Sequence, residues 1–82
     1  MSNDEVIREG NYKIGTKQTL KSVELGKAEH VYVAKDADPK LIHRAVSLCK
    51  KHGVKVVHVD TMKMLGKACG IEVGAAMAAL EK

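Results

Sequence analysis

The sequence is nearly devoid of aromatic residues and contains only two cysteines. Phe and Trp are absent, and Tyr12 and Tyr32 are the only aromatic residues. This argues against the modules that read single-stranded nucleic acid by stacking its bases on aromatic side chains. Cys49 and Cys69 stand alone, without a partner motif nearby. A disulfide framework is therefore not expected, and both thiols are predicted to be reduced core residues.

The chain also lacks a recognisable targeting or membrane segment. Residues 1–13 contain neither a basic n-region nor an apolar stretch, and no run approaches the roughly eighteen apolar residues that a membrane helix requires. We therefore expect a cytoplasmic protein that makes no contact with a membrane.

Composition and charge describe a small globular protein. The chain has 82 residues, of which 45% are hydrophobic and 29% charged, so residues 1–82 are predicted to form a single domain. The net charge is +4 and the pI about 9.2, which permits an anionic partner without requiring one. Residues 10–82 hold thirteen of the fourteen basic residues but only seven of the ten acidic ones, a formal charge of +6. The main body of the protein is thus the more basic part.

Two apolar, β-branched segments flank an amphipathic one. Residues 29–36 and 54–60 are predicted to be buried strands with little polar on either face. Between them, Asp38 is suited to cap a helix, Pro39 to begin it and Gly53 to end it. A helix of that length joins parallel strands by a right-handed crossover, so residues 29–60 are predicted to form a βαβ unit at the centre of the fold.

Further helices are predicted on both sides of this unit. One has Thr16 as its N-cap and Gly26 as its end, with Leu20 and Val23 facing inward. Another is capped by Thr61, and its buried side is predicted to be formed by Met62, Leu65, Ala68 and Cys69, with Met64 and Met77 as further core residues. Residues 12–15 are expected to form a short strand, and residues 4–9 a turn or two of helix. The expected fold is an α/β/α sandwich around a small mixed sheet.

No pattern indicates catalysis, a metal or a cofactor. The histidines are scattered over predicted strands and a helix, and none has a nucleophile at a suitable spacing: His30, His43, His52 and His58. Cys49 and His52 lack the paired-ligand spacing of a zinc motif. Glycines at 66, 70 and 74 match no nucleotide-binding fingerprint. Either Gly66 permits close packing and Gly70 ends a helix, or the loop after them is functional.

The segment GTKQTLK, residues 15–21, is the sharpest candidate for a binding site. At 100° per residue, Lys17, Gln18 and Lys21 share one arc of the predicted helix, which leaves a polar face free. Lysine can contact phosphates or guanine, and glutamine offers both a donor and an acceptor to a base edge. An ordinary solvated surface has the same composition, and the charge pattern alone does not separate the two.

Three segments together resemble a known family. GTKQTLK at 15–21, VYVAKDADP at 31–39 and LGKACGIEVGAA at 65–76 are similar, in order and spacing, to the ribosomal protein family of kink-turn RNA binders, and the chain looks closest to its small stand-alone bacterial members. The resemblance implies a three-layer α/β/α sandwich around a mixed four-stranded sheet. It also implies that AAMAAL, residues 75–80, is the last strand, although an alanine-rich run favours helix.

The resemblance also implies a set of RNA-binding residues. Gly15 and Thr16 would let a helix start approach the RNA backbone, Lys17 and Gln18 would face tandem sheared G·A pairs, and Lys21 would support phosphate or base contacts. Asp38 and Ile42 match positions that hold a flipped-out nucleotide, with Lys35 near a phosphate. Ile71, Glu72 and Val73 match a loop that packs on the bases beside the kink. For Ile42 and Ile71, plain core burial remains an equal alternative.

The chain departs from the family pattern at two points. Many members have Asn-Glu at positions 17 and 18, and a basic residue at position 14, where this chain has Lys-Gln and Ile14. The expected function is non-catalytic recognition of kink-turns in ribosomal or structured regulatory RNA by a monomer that needs no cofactor, with the ribosome as one candidate partner. The alternative is an α/β module that binds a protein or small ligand and not RNA.

Overall fold

The computed structural model describes residues 11–82. Four strands and three helices are found there, in the order β1 (Asn11–Ile14), α1 (Thr16–Glu24), β2 (Ala28–Ala34), α2 (Pro39–His52), β3 (Lys55–Val59), α3 (Met62–Ala68) and β4 (Met77–Glu81). The helical turns predicted for residues 4–9 lie outside the described residues.

The strands form one mixed sheet in the order β1-β4-β2-β3. β2 and β3 are parallel, and β4 runs antiparallel to both β1 and β2. The alanine-rich C-terminal segment is therefore a strand, as the family resemblance implied and against its helix propensity. Met77, Ala78 and Ala79 are fully buried in it. Burial between two helix layers outweighs the small intrinsic preference of alanine for helix.

Helices cover both faces of the sheet, which confirms the α/β/α sandwich. Side chains alternate along β2, so Val31 and Val33 pack with Val23 of α1 and with Ala45 and Cys49 of α2. On the other face, Ala34 and Ala78 pack with Leu65 of α3, and Tyr32 lies against the same cluster. The two faces thus have separate apolar clusters on opposite sides of the central strands.

The crossover helix α2 has the ends that the sequence predicts. The carboxylate of Asp38 accepts a hydrogen bond from the backbone N–H of Lys40 at 2.9 Å, and Pro39 is the first helical residue. Gly53 ends the helix with φ 70°, a left-handed conformation that favours glycine. These boundaries fix where α2 begins relative to the sheet.

Some predictions of burial were wrong. In the sheet formed by residues 11–82, β3 is an edge strand, so the βαβ unit is not central as a whole, and Val56 and Val57 are half-buried because no strand of that sheet covers their outer side. Met64 is 53% exposed and does not fill the core. Ala68 is also exposed. Met62, Leu65 and Cys69 pack on the sheet side at helical spacing, and Met64 and Ala68 lie on the opposite face of α3 toward solvent.

Gly66 permits the closest packing in the described part of the chain. The backbone carbonyl oxygen of Val73 occupies the space that a Cβ at position 66 would need. The Gly66 carbonyl accepts a hydrogen bond from Ile71 N at 3.0 Å, and Ala75 N donates to the Met62 carbonyl at 3.0 Å. Gly70, with φ 82°, makes the turn that ends α3, as predicted. The loop of residues 71–74 is therefore held directly on α3.

Both cysteines are free thiols. Cys49 is fully buried, as predicted, and Cys69 is half-buried beside the α3 cluster. Burial raises the pKa of both thiols above the ordinary value, which disfavours the reactive thiolate. Across residues 11–82, no helix is at once long enough and apolar enough to cross a membrane.

Candidate nucleic-acid interface

One end of the sheet collects the starts of all three helices. Because β4 is antiparallel to β1 and β2, the last residues of those two strands lie beside its first residue. Gly15 N donates to the Met77 carbonyl at 3.0 Å, and Ala34 N donates to the Ala76 carbonyl at 2.9 Å. Val59, the last residue of β3, pairs with Ala34. We call this edge, with the starts of α1, α2 and α3 that follow these strands, the helix-start end.

The first residue of the glycine-threonine pair caps α1, which corrects one prediction. Gly15, and not Thr16, is the N-cap residue, with φ 109° and ψ 158°. The chain must turn sharply out of β1 here, and this conformation is accessible to glycine but strained for threonine. Within residues 11–82 no side chain caps α1, so the N–H groups of its first turn gain no side-chain acceptor from that part of the chain. Those N–H groups and the helix dipole favour an anion at this point.

The predicted polar face of α1 is present. Lys17, Gln18 and Lys21 are all exposed, whereas Thr19 and Val23 are fully buried. Gln18 and Lys21 line a groove of about 380 Å³ together with Lys13 and Lys27. Sequence reasoning did not select Lys13 and Lys27, because their proximity to α1 depends on how β1 and the turn after α1 are placed.

The groove is also lined by Ser22 and Glu81, which are hydrogen-bonded to each other. Ser22 is buried, and its hydroxyl donates a 2.7 Å hydrogen bond to Glu81 Oε2. This contact ties α1 to β4 across 59 positions of sequence. Three lysines around one engaged carboxylate leave the groove with a positive formal charge.

Lys35 follows β2 at the helix-start end and is paired with a neighbouring acid. Its Nζ lies 3.4 Å from Asp60 Oδ1, and both side chains are mostly exposed. Such a pair is weak in water and can exchange for a phosphate contact. The next residue, Asp36, accepts a hydrogen bond from Met62 N at 2.8 Å and so fixes the start of α3. This role of Asp36 was missed, since its partner lies 26 positions away.

Asp38 and Ile42 lie on the first turn of α2. Asp38 is exposed, with one carboxylate oxygen used as the helix cap. Ile42 is half-buried and touches both apolar clusters. Its burial supports the packing alternative, while the remaining exposure leaves part of its side chain at the surface.

The loop after α3 carries the remaining predicted residues. Ile71 is half-buried against the α3 cluster, so its packing role is present. Glu72 is exposed, and Val73 is 70% exposed, the most exposed of the large apolar residues that the structure describes. A single exposed apolar side chain is common on protein surfaces. Here it lies on a loop anchored to α3, at the same end of the sheet.

Charge divides the helix-start end into two parts. The start of α1 presents lysines and free backbone N–H groups, whereas Asp36, Asp38, Asp60 and Glu72 lie near the other two helix starts and the loop. Phosphates are attracted to the first part, and carboxylates of the second can accept hydrogen bonds from base amino groups. Lys21 is one turn further along α1, toward the basic groove. Within residues 11–82, no three histidine, cysteine or acidic residues are grouped as metal ligands.

Comparisons of the sequence with known proteins match this chain to one family and to its named members. The chain matches the profile of the ribosomal protein L7Ae/L30e/S12e/Gadd45 family over residues 3–82. It is 48% identical over 80 residues to a protein of Geobacillus sp. (strain WCH70) named as RNA-binding, covering 98% of each chain. It is 42% identical over 78 residues to the large ribosomal subunit protein eL8 of Halobacterium salinarum, covering 93% of this chain and 65% of that one.

A solved structure gives the same result in three dimensions. The 15.5 kD RNA-binding protein of Giardia lamblia superposes with a TM-score of 0.81 at 36% identity. The match covers 87% of this chain and 60% of the Giardia chain. Sequence and fold therefore lead to the same group of proteins.

Proposed function

Because this chain belongs to the ribosomal protein L7Ae/L30e/S12e/Gadd45 family, we propose that it binds RNA and recognises the kink-turn motif through its helix-start end. The single observation that carries this proposal is the convergence of the predicted residues. Apart from Lys21, which is one turn along α1, the residues selected from three separate segments lie at one end of the sheet. The start of α1, which has no side-chain cap within residues 11–82, lies there with exposed lysines and with the loop that carries the exposed Val73.

The two parts of the helix-start end suit the two kinds of contact that shape-based recognition requires. One part contacts the RNA backbone, and the other contacts nucleotides at the kink. Lys17, Lys21 and the N–H groups of α1 hold phosphates of the bent backbone, and Gln18 reaches the edge of a sheared G·A pair. On the other part, Asp38 and Ile42 hold the flipped-out nucleotide, and residues 71–73 pack on the bases beside the kink. No aromatic platform is needed for this mode.

We propose this role for the whole chain. Residues 1–82 act as one non-catalytic RNA-binding domain, a cytoplasmic monomer without cofactor. Its target is ribosomal or structured regulatory RNA that contains a kink-turn. The family includes ribosomal proteins by name, which supports the ribosome as one place for such an RNA.

A gel shift with two matched RNA duplexes tests this function. One duplex contains a kink-turn, and in the other Watson–Crick pairs replace its tandem G·A pairs. We expect the kink-turn duplex to bind at least tenfold more tightly, because only its fold presents the G·A edges and the bent backbone together. The logarithm of affinity should fall against the logarithm of salt with a slope of about −2 to −4, as a few phosphate contacts release counterions.

Equal affinity for the two duplexes would contradict kink-turn recognition and leave only general RNA binding. No binding to either duplex, together with binding of a protein or a small ligand, would favour the alternative function.

A further inference from the structure

A second cationic surface lies on the outer side of α2. Lys40, Arg44, Ser47 and Lys51 are spaced four, three and four positions apart, so they form one row along the helix. All four are exposed, and His43 and Lys50 flank the row. We call the row of four the α2 stripe. The inner side of the helix is occupied by Ala45 and Cys49 in the core, so the stripe has no role in packing the fold.

The positive charge of this surface is not compensated within the helix. α2 contains four lysine or arginine residues and no acidic residue in its 14 positions. Among residues 11–82, no carboxylate is ion-paired with any of these cations. Glu24 of α1 lines the shallow groove of about 390 Å³ beside Arg44 and Lys51, and is the one acid there. The stripe therefore attracts a polyanion.

The chemistry of the α2 stripe favours a phosphate backbone over an acidic protein. Protein interfaces are centred on buried apolar or aromatic side chains. The large exposed apolar residues in the described part of the chain are Leu25, Met64 and Val73, none of which belongs to α2. Lysine, arginine and serine are the side chains that commonly contact phosphate oxygens. Leu20 and Leu48 line the groove beside the stripe, but both are half-buried against the core, so the stripe itself offers mainly phosphate contacts.

Most of the α2 stripe lies away from the helix-start end, since only Lys40 is on the first turn of α2. α2 begins there and runs away from it for 14 residues, a length of roughly 20 Å. Lys51 lies at the far end of that length, whereas an RNA held at the helix-start end lies beyond the first turn. The geometry points to a second RNA-binding surface, on which the α2 stripe holds the phosphate backbone of a Watson–Crick RNA helix separate from the one at the helix-start end.

The test uses full-length protein and a plain, fully paired RNA duplex of about twenty base pairs, added before and after saturation with kink-turn RNA. Wild-type protein saturated with kink-turn RNA should still retain the labelled duplex at low salt, as a complex of two RNAs with one protein. In Arg44→Gln/Lys51→Gln, retention of the duplex should fall about tenfold. Affinity for kink-turn RNA should stay within twofold, since both residues lie away from the helix-start end.

The matched control is Lys67→Gln/Lys82→Gln, which removes the same charge from exposed positions outside both proposed surfaces. It should retain the duplex as the wild type does. An equal loss in both double variants would reduce the effect to net charge and overturn the proposal. So would a parallel loss of kink-turn affinity, or the absence of the two-RNA complex. Binding of a poly-glutamate peptide without binding of the duplex would also overturn it, in favour of an acidic protein partner.

This inference does not depend on kink-turn recognition. If the protein fails to distinguish the two duplexes of the gel shift, duplex retention by free protein still reports on the α2 stripe. A loss confined to the α2 variant would then support the stripe while contradicting the proposed function.

Discussion

Gly66→Ala is expected to lower the melting temperature by about 8–16 °C. The added Cβ would occupy the place of the Val73 carbonyl oxygen, which is backbone and cannot rotate away. Overpacking of this kind costs about 3 kcal/mol, and the better helix propensity of alanine returns about 1 kcal/mol. A net loss of about 2 kcal/mol gives this shift in a domain of 82 residues. Thermal unfolding followed by circular dichroism measures it.

The same substitution should also weaken RNA binding well below the melting temperature, because it pushes away the loop of residues 71–74. Gly74→Ala should have a smaller effect on the melting temperature and on binding. Its Cβ would lie 3.2 Å from Met62 Cβ, so Met62 needs to move only slightly. Lys67→Ala, at the exposed neighbour on the same helix, should change the free energy of unfolding by less than about 0.5 kcal/mol. An unchanged melting temperature in Gly66→Ala would show that the loop is not packed on α3 as described.

Lys17→Ala/Lys21→Ala is expected to reduce affinity for kink-turn RNA by about 100-fold. Both side chains are exposed on the face of α1 nearest the proposed RNA, and neither is ion-paired within residues 11–82. A charged hydrogen bond to phosphate contributes on the order of 1.5 kcal/mol, and each 1.4 kcal/mol is tenfold in affinity. The salt slope should become shallower by about 2, one for each lost contact. Filter binding across a salt series measures both quantities.

Stability separates a binding role from a structural one in this variant. Because both lysines are exposed, the melting temperature should move by no more than one or two degrees. Lys55→Ala/Lys82→Ala removes the same charge from exposed positions at the opposite end of the sheet and should weaken RNA binding less than threefold. A similar loss in both variants would assign the effect to net charge, and strong unfolding of Lys17→Ala/Lys21→Ala would make these structural lysines.

Local signals in the sequence were sufficient for most of the secondary structure. Asp38, Pro39 and Gly53 mark the ends of α2 because capping and left-handed turns depend on single residue types. The buried strand β2 was also evident from its β-branched residues. Met77–Glu81 was different, because its alanines favour helix and only the family resemblance implied a strand. Tertiary burial decides the conformation of such a segment, and a local pattern carries no information on it.

The parts that sequence reasoning missed depend on contacts between distant segments. Gly15 takes the N-cap position because the chain must turn there from β1 into α1. The Gly15 N–H donates a hydrogen bond to the Met77 carbonyl, which fixes this turn against β4. Asp36 fixes the start of α3 across a long separation in sequence, and Lys13 and Lys27 join the groove of Lys21 only once the sheet is formed. The sheet covers the face of α3 that carries Leu65 and Gly66, which leaves Met64 and Ala68 exposed despite their apolar character. A pattern along one segment does not show which distant segments it will contact in the folded protein.

Lys17 and Gln18 are the positions where this chain differs most from the family pattern in its predicted site. If α1 binds RNA as proposed, lysine in place of asparagine would add a phosphate contact, and glutamine in place of glutamate would remove a charged acceptor for guanine. The charge division of the helix-start end is consistent with this exchange, since the remaining carboxylates lie near α2, α3 and the loop. On this account, α1 contributes more to affinity and the other part more to selectivity.

The most direct test of the account is an NMR titration of isotope-labelled protein with kink-turn RNA, followed by backbone amide shifts. The largest changes should map to residues 15–21, 35, 38–42 and 71–73. The duplex with Watson–Crick pairs in place of the G·A pairs should leave residues 71–73 nearly unchanged. Changes concentrated elsewhere, or an identical pattern with both RNAs, would contradict recognition of the kink-turn by the helix-start end.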